Sequence, residues 1–111
     1  MNTDYLRYFS TLAELQHYGN AAKALNISQP GLSHAIHSLE KDYGLPLFEK
    51  TGRNVRLSPY GLEIKKYIDV ILNNLDELVH NISDFHREDK IIRIASVYPL
   101  ARSFIPELIQ S

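Results

Sequence analysis

Apolar residues recur at helical spacing in four stretches of this chain and at strand spacing in another. Leu6, Phe9, Leu12 and Ala13 follow the helix-start residues Asn2-Thr3-Asp4, which predicts a first helix ending between Leu15 and Tyr18. Gly19-Asn20 reads as a break. Ala21-Ala22-Lys23-Ala24-Leu25 then predicts a second helix, too short to stand without a packing partner. After the turn Asn26-Ile27-Ser28, with Ile27 as its apolar plug, a third helix runs to Gly44. Ser28 suits its N-cap, Pro30 falls in the first turn where no N–H is needed, and Gly44 suits a left-handed ending with Leu45 packed back on Leu39. Leu45 to Lys50 and Val55-Arg56-Leu57 flank a loop containing Gly52 and predict a β-hairpin, with Val55 and Leu57 on one face and Arg56 on the other.

Ser58-Pro59 restarts a helix, and its pattern is the most regular in the chain. Ile64, Ile68, Ile71, Leu75, Leu78, Ile82 and Phe85 are separated by alternating steps of four and three, the period of a coiled-coil seam. Tyr67, Leu72 and Val79 widen the stripe, as an amphipathic helix lying on its own domain requires. The narrow seam favours packing on a second copy, giving a homodimer or higher homo-oligomer. After the charged break Arg87-Glu88-Asp89-Lys90, residues 91–97 read as a strand and 101–110 as the start of a helix. These two elements look like the opening of a further domain.

The third helix carries the candidate chemistry. Leu32, Ala35, Ile36, Leu39 and Tyr43 share one face, while Gln29, Ser33, His34, His37 and Lys41 share the other. The polar face holds no acid and clusters toward the helix N-terminus, where the dipole favours anions. Gln pairs bidentately with adenine, His bonds to guanine acceptors, and Ser bonds to bases or phosphate, so this face suits the DNA major groove. A solvated face that merely lacks carboxylates fits the helix alone equally well. The preceding short helix and tight turn tip the balance toward a helix-turn-helix. Lys50, Arg53 and Arg56 then make the hairpin a basic wing, with Arg53 at its tip placed for phosphate or a minor groove.

Composition narrows the classes. The 111 residues include no cysteine, so disulfides and thiolate metal sites are excluded. No apolar run approaches membrane-spanning length and no signal pattern opens the chain, which points to a soluble, cytoplasmic protein without a membrane partner. His34 and His37 lie three apart without an evident third ligand, so neither a metal nor another cofactor is expected, and no catalytic constellation appears. The net charge of −1 argues against a strong nonspecific grip on nucleic acid. Its distribution matters more. Residues 1–58 hold six basic against five acidic side chains, and residues 59–88 hold three against six. This faint basicity keeps a second function open, a helix-turn-helix used as a protein–protein scaffold.

Phe9, Ala21-Ala22, Leu25, Ser28-Gln29-Pro30, Ser33, Ile36, Leu39-Glu40, Gly44, Leu47-Phe48, Arg53, Leu57 and Gly61 stand in an order and spacing that resembles the DNA-binding region of the LysR-type transcriptional regulators. The resemblance spans residues 1–88. It implies a mainly α fold: a winged helix-turn-helix over 1–58 and a linker (dimerisation) helix over 59–88. Residues 89–111 then correspond to a hinge and the first strand and helix of an incomplete effector-binding domain. It also implies a bacterial, sequence-specific regulator that binds double-stranded DNA as a dimer. The resemblance maps DNA contact onto Gln29, Pro30, Ser33, His34 and Arg53; the polar face and the basic wing add Ser28, His37, Lys50 and Arg56 as candidates, and the seam gives dimer contact to Ile64, Ile68, Ile71, Leu75, Leu78, Ile82 and Phe85. A small-molecule effector is implied only for a full-length parent. Gln16 departs from the pattern where Gly often begins the turn, His34 and Lys50 where Arg is common, and Ser58 where Thr is common. His34 cannot reproduce the fork of Arg on guanine, so base preference shifts there.

Overall fold

The computed structural model describes residues 2–87. Its elements are α1 (Thr3–Leu15), α2 (Tyr18–Leu25), α3 (Gln29–Tyr43), β1 (Phe48–Thr51), β2 (Asn54–Leu57) and α4 (Pro59–Arg87). This is a mainly α winged helix-turn-helix followed by a long helix. The strand expected over 91–97 and the helix over 101–110 lie outside the described residues. By internal packing the chain divides into residues 1–73 and residues 74–111, and α4 contributes to both.

α1 begins where the Asn2 side chain accepts the Asp4 N–H at 2.8 Å, and it buries Leu6, Phe9, Leu12 and Ala13. It ends at Gln16, whose φ of 59° is left-handed and whose N–H returns to the Leu12 carbonyl at 2.8 Å. The break between the first two helices is therefore Gln16-His17 and not Gly19-Asn20, which lie inside α2. The physical reason is an atypical cap. His17 is extended, and its Nδ1 accepts the Asn20 N–H at 3.0 Å, the role that Ser, Thr, Asp or Asn usually fills. α2 then presents Ala21 and Ala22 to the core, both buried and small enough for close approach by the neighbouring helices.

α3 starts as its sequence predicts, with the Ser28 hydroxyl accepting the Gly31 N–H at 3.0 Å. Leu32, Ala35, Ile36 and Leu39 are buried and Tyr43 is half-buried. At the far end Gly44 (φ 70°) and Leu45 both donate to the Glu40 carbonyl, at 2.8 and 3.3 Å. The longer bond is the six-to-one closure of a Schellman ending. Phe9, Leu12, Leu32, Leu39 and Leu47 have no exposed surface, and the Phe9 and Phe48 rings meet at 5.4 Å with a 58° tilt. Truncating a buried phenylalanine of this kind to alanine costs about 3–5 kcal/mol, so the Phe9–Phe48 contact is a main tie between the hairpin and α1.

The hairpin is shorter at its tip than the sequence pattern indicates. Thr51 pairs with Asn54, leaving only Gly52 and Arg53 in the turn. Gly52 carries the positive φ (65°) that a two-residue turn of the II′ class places at its first central position. The Val55 N–H donates to the Gln16 carbonyl at 3.0 Å, which fixes β2 to the corner between α1 and α2.

The start of α4 is tied to the chain entering the hairpin. Ser58 is 2% exposed; its hydroxyl donates to the Pro46 carbonyl at 2.5 Å and accepts the Gly61 N–H at 3.0 Å. Its own N–H donates to the Leu47 carbonyl at 2.9 Å. From there α4 runs unbroken for 29 residues, about 43 Å at 1.5 Å per residue. Its apolar positions separate into two stripes. Gly61, Ile68 and Leu72 are buried within their own chain. Ile68, expected in the partner-facing seam, is 2% exposed and packs within its own chain, whereas the adjacent Tyr67 is 73% exposed. The corrected second stripe is Tyr60, Ile64, Tyr67, Ile71, Leu75, Leu78, Ile82 and Phe85, confined to a sector of about 80° on a helical wheel. Ile64 and Leu75 are half-buried and the other six are exposed. The charged pairs Lys65–Asp69, Lys66–Glu63, His80–Asp84 and Arg87–Asp84 lie outside that sector.

Two stability changes follow from this backbone. A Cβ built on Gly61 stands 2.2 Å from the Leu47 carbonyl oxygen. Gly61→Ala is therefore expected to lower stability in urea unfolding by about 1–3 kcal/mol through overpacking against backbone. Gln16→Gly is expected to raise it by about 1 kcal/mol, because the left-handed conformation penalises every residue with a Cβ. An unchanged or lower midpoint for Gln16→Gly contradicts the assigned corner.

Candidate nucleic-acid interface

The outward face of α3 is built by its register. With Leu32, Ala35, Ile36 and Leu39 fixed in the core, Gln29, Pro30, His34 and His37 are exposed and Ser33 is partly so. No carboxylate occurs between Ser28 and His37. The Ser33 hydroxyl stands 3.5 Å from His37 Nδ1, at the outer limit of a hydrogen bond. Ser28 is committed locally, since its oxygen caps the helix.

The hairpin brings its side chains toward this face selectively. Register pairs Lys50 with Val55 and Glu49 with Arg56, so the pleat puts Lys50 and Arg56 on opposite faces of the ribbon. Lys50, Gly52, Arg53, Asn54 and Val55 form one wall of a cleft of about 310 Å³, and His17, Tyr18, Gly19 and Gln29 form the other. Gln29, Lys50 and Arg53 are thereby gathered at one place. Neither Lys50 nor Arg53 has an ion-pair partner among the described residues. Arg56 stands apart from this set, because its Nε pairs with Glu49 at 3.3 Å. The wing thus offers two cations to an anionic partner rather than three. A smaller cleft of about 130 Å³ lies between Tyr18, His37 and Glu40 and the hairpin residues Phe48, Glu49, Lys50 and Val55.

His17, Tyr18 and Asn54 belong to this geometry and were not legible as site residues. His17 and Tyr18 reach the cleft only because α2 starts at Tyr18, and the sequence signal for that start is masked by the histidine cap. Tyr18 is held as the neutral phenol: burial and, next, the nearby Glu40 carboxylate push its pKa above the ordinary 10.0. Among the described residues no group of three or more His, Asp or Glu side chains is placed to hold a metal ion. No helix among them is long and apolar enough to cross a membrane.

Residues 3–62 match the family model for bacterial regulatory helix-turn-helix proteins of the lysR family. The HTH-type transcriptional regulator YybE of Bacillus subtilis is 34% identical over 112 residues, covering 100% of this chain and 38% of the relative. The HTH-type transcriptional regulator BenM of Acinetobacter baylyi is 35% identical over 109 residues, covering 98% of this chain and 36% of the relative. The chain therefore spans well under half the length of either. Among solved structures, the BenM DNA-binding domain in complex with catB site 1 DNA superposes with a TM-score of 0.74 at 35% identity. That match covers 78% of this chain and 96% of the other. A full-length OxyR variant from Pseudomonas aeruginosa gives a TM-score of 0.72 at 34% identity, over 76% of this chain and 28% of the other.

The buried phenol gives this site a pH signature. Because the folded protein holds the Tyr18 proton above the pH at which the unfolded chain releases it, the unfolded state binds fewer protons at high pH. The stability of the fold is intact below about pH 10, the phenol's value in the unfolded chain, and falls as pH rises through the higher folded value. Urea unfolding between pH 8 and 11 is expected to show this loss, and Tyr18→Phe is expected to reduce it. Equal alkaline slopes in the two proteins contradict the assigned environment of Tyr18.

Proposed function

The chain belongs to the lysR family of bacterial regulatory helix-turn-helix proteins, and from that premise we propose that it reads double-stranded DNA as a dimeric transcription regulator. α3 lies in the major groove, and the hairpin tip lies on the adjacent backbone or minor groove. The observation that carries the reading is the cleft where Gln29, at the head of a carboxylate-free helix face, meets Lys50 and Arg53, neither of which has an ion-pair partner among the described residues. Gln29 has the donor and acceptor for adenine, Ser33 and His34 have single hydrogen bonds for base edges or phosphate, and Lys50 and Arg53 supply phosphate contact. His37 borders the inner cleft with Lys50 and sits further from the helix N-terminus, which suits a supporting contact. Arg56, engaged by Glu49, is left out of the DNA surface.

The dimer rests on α4. A charge-free stripe with six of its eight side chains exposed is the kind of surface that a second copy covers. Small-molecule response is assigned no residues among 2–87. A second reading, a helix-turn-helix that docks on another protein, is favoured by one observation, the excess of only one positive charge over residues 1–58.

Salt separates the two readings. Duplex affinity measured by fluorescence anisotropy is expected to fall steeply with rising salt, because bound phosphates release counterions. Arg53→Ala is expected to weaken specific and random duplexes alike by about tenfold, the worth of one charge-assisted bond, and to flatten the salt slope by about one. Binding that ignores salt favours the protein-docking reading. For the dimer, Leu78→Glu is the clean test, since Leu78 is exposed within its own chain and a glutamate there leaves that chain's core intact. A dimer would have to bury an unpaired carboxylate at a cost of several kcal/mol. The variant is therefore expected to sediment as a folded monomer, and a fully dimeric Leu78→Glu protein places the contact elsewhere.

A further inference from the structure

One residue, Leu47, joins the three elements that a DNA reader must hold in register through the peptide groups on its two sides. The Leu47 N–H donates to Glu40 Oε2 at 2.7 Å, a short bond to the helix that carries the readout residues. The Leu47 carbonyl accepts the Ser58 N–H at 2.9 Å, and the Gly61 Cα packs directly on that oxygen. β1 begins at the next residue, Phe48. Leu47 itself has no exposed surface, so in the folded protein its N–H depends on the Glu40 carboxylate for a partner.

We infer that Glu40 is a positioning residue for DNA binding, setting the pose of the wing relative to α3 through the Leu47 amide. The inference deepens the DNA-reading assignment and rests on it for the role of Arg53. The hairpin is attached to the body at its base, by this bond and by the Phe9–Phe48 contact, and again near its tip, by the bond from Val55 to Gln16. Its tip, Gly52-Arg53, is exposed. With Val55 held, a loosened base turns the ribbon about that bond, and over the two residues of about 3.3 Å each from Val55 to Arg53 a rotation of about 20° moves the tip by about 2 Å. That displacement takes a guanidinium out of hydrogen-bond range of a phosphate fixed by the grip of α3, since the bond holds only to about 3.2 Å. Glu40 contributes through reach rather than charge. Its carboxylate lies between the base of the wing and Tyr18, and no cation pairs with it among the described residues.

The distinguishing variants are Glu40→Gln, which keeps an acceptor at the same reach, and Glu40→Asp, which keeps the charge but withdraws it by one methylene. Backbone order parameters of residues 51–54, measured by NMR on the free protein, are expected to be unchanged in Glu40→Gln and lowered in Glu40→Asp and Glu40→Ala. In duplex binding, Arg53→Ala is expected to cost about tenfold in the wild type and in Glu40→Gln, and less than threefold in Glu40→Asp. The cost of Ser33→Ala is expected to be the same in all three backgrounds. Should Glu40→Ala fail to fold, Glu40→Asp alone carries both readouts. Unchanged order parameters in a folded Glu40→Asp protein, or loss in Glu40→Gln equal to that in Glu40→Asp, overturn the inference whatever DNA does. An Arg53→Ala change without effect in the wild type overturns instead the assignment of the wing to DNA, while the order parameters still decide the role of Glu40.

Discussion

The backbone of Leu47 is the joint on which this domain turns. Its N–H is taken by a side chain of α3, and its carbonyl is taken by the backbone that enters α4 and is covered by Gly61. The hairpin leaves from the same point. The Leu47 backbone is buried and the Glu40 side chain half-buried, so a lost partner here costs more than an exposed hydrogen bond does. Ser58 completes the joint by bonding the Pro46 carbonyl while capping α4. A serine or threonine is required there because one hydroxyl must donate and accept at once. The apolar contacts around it, chiefly Phe9 on Phe48 and the buried row on α3, supply most of the stabilisation, but they are non-directional. The joint decides the angles.

Those angles matter because the charge is so modest. A chain with a net charge of −1 cannot rely on a broad basic field to hold DNA. It must place a few cations well. Strand register does this by sending Lys50 toward the cleft while Arg56 is matched with Glu49 on the other face. The long helix follows a similar economy. One row of its apolar side chains is used inside the chain, and a second row, free of charge, is the surface proposed for a second copy.

Much of the fold was legible because its signals are local. Ser28, Gly44 and Ser58-Pro59 mark helix ends by chemistry that acts over three or four residues, and each stands where its spacing places it. The core face of α3 follows directly from a 3.6-residue period. The start of α2 was misplaced because His17 caps in place of a usual capping residue and Gln16 turns left-handed without being glycine. Departure from the family pattern at Gln16 marked the position but not its consequence. Ile68 was assigned to the partner seam because a heptad reading cannot tell which of two adjacent stripes the chain itself will cover. The site was legible to the extent that it lies on α3 and the hairpin tip. Glu40 and Leu47 were not, since their bond depends on a chain reversal seven residues long that no local pattern encodes.

The central claim is that the outward face of α3 and the tip of the wing form one surface for duplex DNA. Chemical-shift mapping of the labelled protein against a duplex selected from random sequences tests it most directly. The account predicts the largest changes at Gln29, Ser33, His34, Lys50 and Arg53, with Arg56 and the exposed stripe from Tyr67 to Phe85 little affected. Changes centred on that stripe, with residues 28–37 and 50–53 unmoved by saturating duplex, contradict it.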